Sequence, residues 1–132
     1  MNTSYDTIYQ TFLNNCMVSD IDLPQTNEGK YEVIKNALLH FNNRMRTKYL
    51  ADDILETLDG HLDEDKLLIL AHYIRLIFLK NQKTYFESLW QPFTSDVGIR
   101  NFSSQIKSLE NSIETQKNTI ESFIVNAAED FL

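Results

Sequence analysis

Seven carboxylates fall between Asp52 and Asp65: Asp52, Asp53, Glu56, Asp59, Asp63, Glu64 and Asp65. Crowded acids of this kind hold divalent cations when their spacing lets several oxygens converge. The stretch DGHLDED lacks the alternating Asp/Asn ligands that precede the glycine of a calcium loop. Glu56 and Asp59 make an ExxD pair, the unit of a two-cluster magnesium site for nucleotide hydrolysis. The other half of such a site needs a second carboxylate cluster on another helix. The earlier pair, Glu28 and Glu32, has an i,i+4 spacing without doubled acids. No metal is therefore expected. Asp63 reads better as a helix N-cap, with Glu64 and Asp65 in a first turn that favours negative charge.

Other reactive residue types are equally isolated. His40, His61 and His72 show no HxxxH, HExxH or paired-cysteine spacing. Cys16 is the single cysteine, which excludes an intramolecular disulfide framework and reads as a small buried thiol on a first helix. There is no glycine-rich phosphate loop and no nucleophile elbow. The expectation is a protein with no catalytic residues and no cofactor.

The charge balance narrows the partners. Net charge is -7 and the pI is near 4.8, so phosphate backbones and anionic membranes repel the chain on average. The N-terminus has no basic region ahead of an apolar run, so no signal peptide is expected. Leu67 to Leu79 is too short to span a bilayer and contains His72 and Arg75.

Three Gly, two Pro, eight Phe and six Tyr in 132 residues suit long helices around a real core. The expectation is an all-α single domain over 1–132: a small bundle of about four main helices with a long C-terminal helix. Tyr5, Ile8, Phe12 and Cys16 mark a first helix from about Ser4 to Cys16. Met17 to Asn27 reads as a connector. Thr26 or Asn27 caps a second helix to about Arg46, its inner face marked by Tyr31, Ile34, Leu38, Phe41 and Met45. Its basic end is read as dipole capping or, alternatively, a contact patch. Ile54, Leu55 and Leu58 predict a short helix stopped at Gly60, with an extended arm as the alternative. From Asp63 to about Leu89 the run LLILAHYIRLIFL is apolar almost all round, as in a helix enclosed by others. Gln91 to Arg100 is predicted as a loop, with Trp90, Pro92 and Phe93 forming an aromatic corner.

The last helix, from about Asn101 to Glu129, carries a thin seam. Phe102, Ile106, Leu109, Ile113, Gln116, Ile120, Phe123 and Ala127 step by 4, 3, 4, 3, 4, 3, 4, a heptad with one polar member. A seam this narrow needs one facing surface, either the central helix or a partner that part of the helix projects toward.

The order of these features, DED into LLILAHYIRLIFL, then YFESLWQPF, then SDVGIRNFSSQIKSLENSIETQKNTIESFI, resembles the head–tail connector (adaptor, or head-completion) proteins of long-tailed bacteriophages. The likeness covers roughly Asp59 to Glu129. It implies a helical structural protein of the virion neck, with no enzymatic activity, made in the bacterial host cytoplasm. It implies a ring of about a dozen copies beneath the portal protein, extending the DNA channel and offering a platform to a stopper or tail-completion protein. DNA would pass without sequence-specific binding. On that resemblance, Trp90, Phe93, Phe102, Ile106, Leu109, Ile113, Gln116 and Ile120 are the expected partner interface. Asp52, Asp53, Glu56 and Asp59 would face the channel. Two other readings stand beside it: a small acidic helical regulator that masks a basic protein partner, and a metal-dependent nucleotide hydrolase built on Glu56 and Asp59.

Overall fold

The computed structural model describes residues 2–16, 23–24, 26–90 and 96–131, with the side chains of 89–90, 96–102 and 127–131 outside that description. The element order is β1 (Thr3–Ser4), α1 (Tyr5–Asn15), α2 (Asn27–Met45), β2 (Ala51–Asp52), β3 (Thr57–Leu58), α3 (Glu64–Trp90) and α4 (Asp96–Phe131). The fold is mainly α, a four-helix bundle with one small three-stranded sheet.

Local chemistry sets the helix starts. The Ser4 hydroxyl accepts the Thr7 N–H at 3.1 Å, and Thr26 Oγ1 accepts the Gly29 N–H at 3.0 Å. Asp63 Oδ1 accepts the Lys66 N–H at 2.9 Å. Each side chain satisfies a donor that the first helical turn leaves unpaired. Helix α2 stops where Arg46 enters the left-handed region at φ 58°. Asn42 then organises the exit: its Oδ1 accepts from Thr47 Oγ1 and the Tyr49 N–H, and its Nδ2 donates to the Tyr49 carbonyl.

Helix α3 is the centre of the bundle. Ile69, Leu70, Ala71, Tyr73, Ile74, Leu76, Ile77, Phe78 and Leu79 are all buried, and α1, α2 and α4 all pack on it. From α1 come Tyr5, Ile8 and Phe12; from α2, Ile34, Ala37, Leu38 and Phe41; from α4, Ile113, Ile120 and Ile124. Phe12 stacks on Phe78 with ring centroids 5.4 Å apart. Burying so many large side chains on one helix is the main source of stability, at about 1.5–3 kcal/mol for each fully buried aliphatic or aromatic group.

Two expectations are corrected. First, residues 51–58 form a β-hairpin, not a short helix. Ala51 pairs with Leu58 and Asp52 with Thr57. On its other side β3 pairs antiparallel with β1, Thr3 with Leu58 and Ser4 with Thr57. The helical spacing of Ile54, Leu55 and Leu58 would put all three on one face, yet only Leu58 is buried. Gly60 stops no helix; a Cβ there would sit 2.5 Å from the Tyr49 ring, so the residue is small because an aromatic lies against it. Second, α4 begins at Asp96, inside the expected loop, and its 36 residues span about 54 Å at 1.5 Å per residue. Gly98 lowers helix propensity without preventing this start. Phe93, Gln91 and Pro92 of the expected aromatic corner lie outside the described residues, as do Val18 and Ile21 of the connector.

Candidate interaction surfaces

No helix among the described residues is long and apolar enough to cross a membrane, and no group of three or more potential metal ligands occurs among them. The chemistry-bearing residues resolve into three places.

The first is a part-buried polar relay between α3 and α4. Arg75 donates to Gln116 Oε1, and Gln116 Nε2 contacts His72 Nδ1 at 2.9 Å. With Arg75 fixing the amide orientation, Gln116 Nε2 donates and Nδ1 accepts, so His72 carries its proton on Nε2. Burial holds the His72 pKa below its ordinary value, and the positive charge of Arg75 acts in the same direction. Cys16 Sγ lies 3.8 Å from the Ala71 carbonyl and 3.9 Å from His72 Nδ1, and burial pushes its pKa up to about 11. A thiol held protonated beside a neutral imidazole is the reverse of an activated nucleophile. Gln116, only 2% exposed, is the polar member of the seam, and a polar residue at such a position fixes register. Ile113 and Ile120 are buried beside it. These three seam residues therefore face their own chain, which corrects their expected place in a partner interface.

The second place is the outer end of the α3–α4 pair. Ile106 and Leu109 are half-buried here, as is Phe86. Gln82, Tyr85, Phe86, Gln105, Ser108 and Leu109 line an open groove of about 360 Å³. Lys83 holds the two helices together by reaching Glu110 at 3.3 Å across the pair and Glu87 at 3.5 Å along α3. Trp90 ends α3 and Phe102 lies within α4, but their side chains fall outside the described residues.

The third is the hairpin, where the four acids singled out in the sequence do four different jobs. Asp52 Oδ1 accepts the N–H groups of Ile54 at 2.9 Å and Leu55 at 3.0 Å, building the turn. Asp53 accepts from the Tyr5 hydroxyl at 2.7 Å and pairs with Lys35 at 2.9 Å. The Lys35 ammonium, then the Tyr5 hydroxyl, hold the Asp53 carboxyl below the usual carboxylate range. Glu56, left-handed at φ 55°, takes the Tyr5 N–H on its carbonyl at 2.8 Å and the Tyr31 hydroxyl on its carboxylate. That contact pushes the Tyr31 phenol up to about 12. Asp59 Oδ1 accepts the Leu50 N–H at 2.8 Å. The acids expected to line a channel thus also serve to hold the hairpin on the bundle. Sequence reasoning missed what the hairpin displays. Ile54 is 93% exposed, Leu50 69% and Leu55 66%. The available signal was Asp52 two residues before Ile54, an Asx-turn arrangement.

Comparison with known proteins follows the same outline. The YomZ prophage protein family matches residues 1–129. The chain is 58% identical over 130 residues to the SPbeta prophage-derived uncharacterized protein YomZ of Bacillus subtilis (strain 168), covering 98% of this chain and 99% of that protein. No solved structure matches. A match of this extent spans α1 to α3, the hairpin and nearly all of α4, and the chain belongs to the YomZ prophage protein family.

Proposed function

We propose that this protein is a structural component of the phage particle, a head–tail connector that sits in a ring under the portal protein. In this reading it extends the DNA channel and offers a docking platform to the next connector or tail protein. It does no enzymatic work. The observation that carries the proposal is the outer end of the α3–α4 pair. Its seam continues past the last core layer with Ile106, Leu109 and Phe86 only half-buried and a groove open between the helices. A two-helix arm with an unfinished apolar seam suits contact with a larger assembly. Phage origin, which the family supports, agrees with it, and so does the resemblance of the Asp59 to Glu129 segment to phage adaptors.

The test is a tagged full-length chain expressed during prophage induction, with mass spectrometry and electron microscopy of what it carries. Portal and tail proteins in the eluate, with this chain present in many copies per particle, support the connector. Recovery only as a one-to-one complex with a single soluble protein, with none in particles, would overturn it. That outcome would favour a second reading, a small acidic regulator, which draws on the exposed Ile54 and Leu55 among carboxylates.

A further inference from the structure

The hairpin turn is the most exposed apolar feature among the described residues. An isolated exposed leucine needs no explanation. Here Ile54 and Leu55 stand side by side at a turn, with Leu50, just before β2, also largely exposed.

The turn is also pinned from several directions. Asp52 holds the backbone N–H groups of both apolar residues. Asp53 ties the turn to Tyr5 on α1 and to Lys35 on α2. Glu56 is tied to the Tyr5 backbone and the Tyr31 hydroxyl. The pairing of β3 with β1 anchors the base. Two aliphatic side chains are thus presented to solvent on a frame that has already lost its freedom. Preorganisation of this kind lowers the entropy lost when such a tip enters a pocket.

The surroundings select the occupant. Asp52, Asp53, Glu56 and Asp59 are all exposed around the tip, and among the described residues Lys35 pairs with Asp53 alone of the four. The tip is therefore apolar at its point and negative at its rim. Nucleic acid and anionic lipid are repelled by that rim. A second copy of this chain, at net charge -7, is on balance the wrong sign too. We infer that the Ile54–Leu55 turn is a docking knob for another protein, and that it enters an apolar cleft rimmed by lysine or arginine. This goes beyond the connector reading, because the knob and the outer α3–α4 arm are separate surfaces and either can fail alone.

The experiment places the photocrosslinker p-benzoylphenylalanine at position 54 of the full chain during prophage induction. A matched chain carries it at Asn14, an exposed position on α1. The expected result is one protein adduct specific to position 54, mapped by peptide sequencing to a segment combining apolar residues with Lys or Arg. That protein, purified, should bind the wild-type chain and lose affinity about tenfold or more for Ile54→Ser/Leu55→Ser, and its binding should weaken as salt is raised. An unchanged melting temperature of the double variant assigns the loss to the contact, since neither side chain contributes to the core. Adducts to another copy of this chain, to nucleic acid or lipid, or to an acidic surface would overturn the inference. So would adducts no stronger than those from position 14, or an affinity indifferent to the double variant.

Discussion

The two ends of the α3–α4 pair use the same helices and the same seam for different purposes. At the inner end Ile113, Gln116 and Ile120 are buried against α3, which is itself enclosed by α1 and α2. At the outer end Ile106 and Leu109 continue the heptad but are only partly buried. Seam spacing therefore says which side of a helix is apolar, but not how many neighbours cover it. Covered positions hold the fold together, and the half-covered ones remain available to a partner.

The contrast breaks most readily at the inner end. Phe12→Ala removes a fully buried ring stacked on Phe78 and is expected to cost about 3–5 kcal/mol, read as a fall in urea midpoint. Gln116→Ala comes next. It leaves the Arg75 and His72 groups without their shared partner, and the expected loss is about 1–3 kcal/mol. A restored midpoint in Gln116→Asn is not expected, because the shorter amide cannot reach both.

The same relay predicts a pH response. His72 is held below its unfolded value by burial, so the unfolded chain takes up that proton first as pH falls. Its contribution to stability is present above the ordinary histidine range and is lost as pH drops through it. Protonation at Nδ1 would also set the imidazolium against the Gln116 amide donor. Urea midpoints measured from pH 8 to pH 5 should fall, and His72→Asn should flatten that part of the curve.

Smaller effects sharpen the other side of the comparison. The bidentate pair of Arg44 with Glu121, at 2.9 and 2.8 Å, links α2 to α4 near the inner end but is largely exposed. Arg44→Ala should cost about 0.2–1 kcal/mol and less at high salt. Leu109→Ser, on the outer end, is expected to cost about 1 kcal/mol, well below Phe12→Ala because the side chain is only partly buried, while reducing incorporation into particles as counted by mass spectrometry. A large loss of stability from Leu109→Ser would place the outer seam in the fold and undercut the proposed arm.

Much of the architecture was legible before any coordinates. The caps at Thr26 and Asp63, the start of α1 near Ser4 and the apolar run of α3 are signals that act within a few residues, so the order of residues carries them. The start of α4 was not legible, because Asp96-Val97-Gly98 looks like a loop until a long helix is seen to begin there. The hairpin was misread for a deeper reason. Two-residue strands have no usable periodicity, and β3 finds a partner in Thr3 and Ser4, more than fifty positions away.

The sequence by itself determined the helical class, the central place of α3, the acid balance and which residue types lie on the seam. Those follow from short-range propensity and from counting charge. Tertiary structure alone decided that Ile113, Gln116 and Ile120 turn inward while Leu109 stays half-open. It also decided that the acids of the hairpin bind Tyr5, Tyr31 and Lys35 and leave Ile54 and Leu55 in water. Those outcomes depend on which distant surfaces meet, and no local pattern in the chain records it.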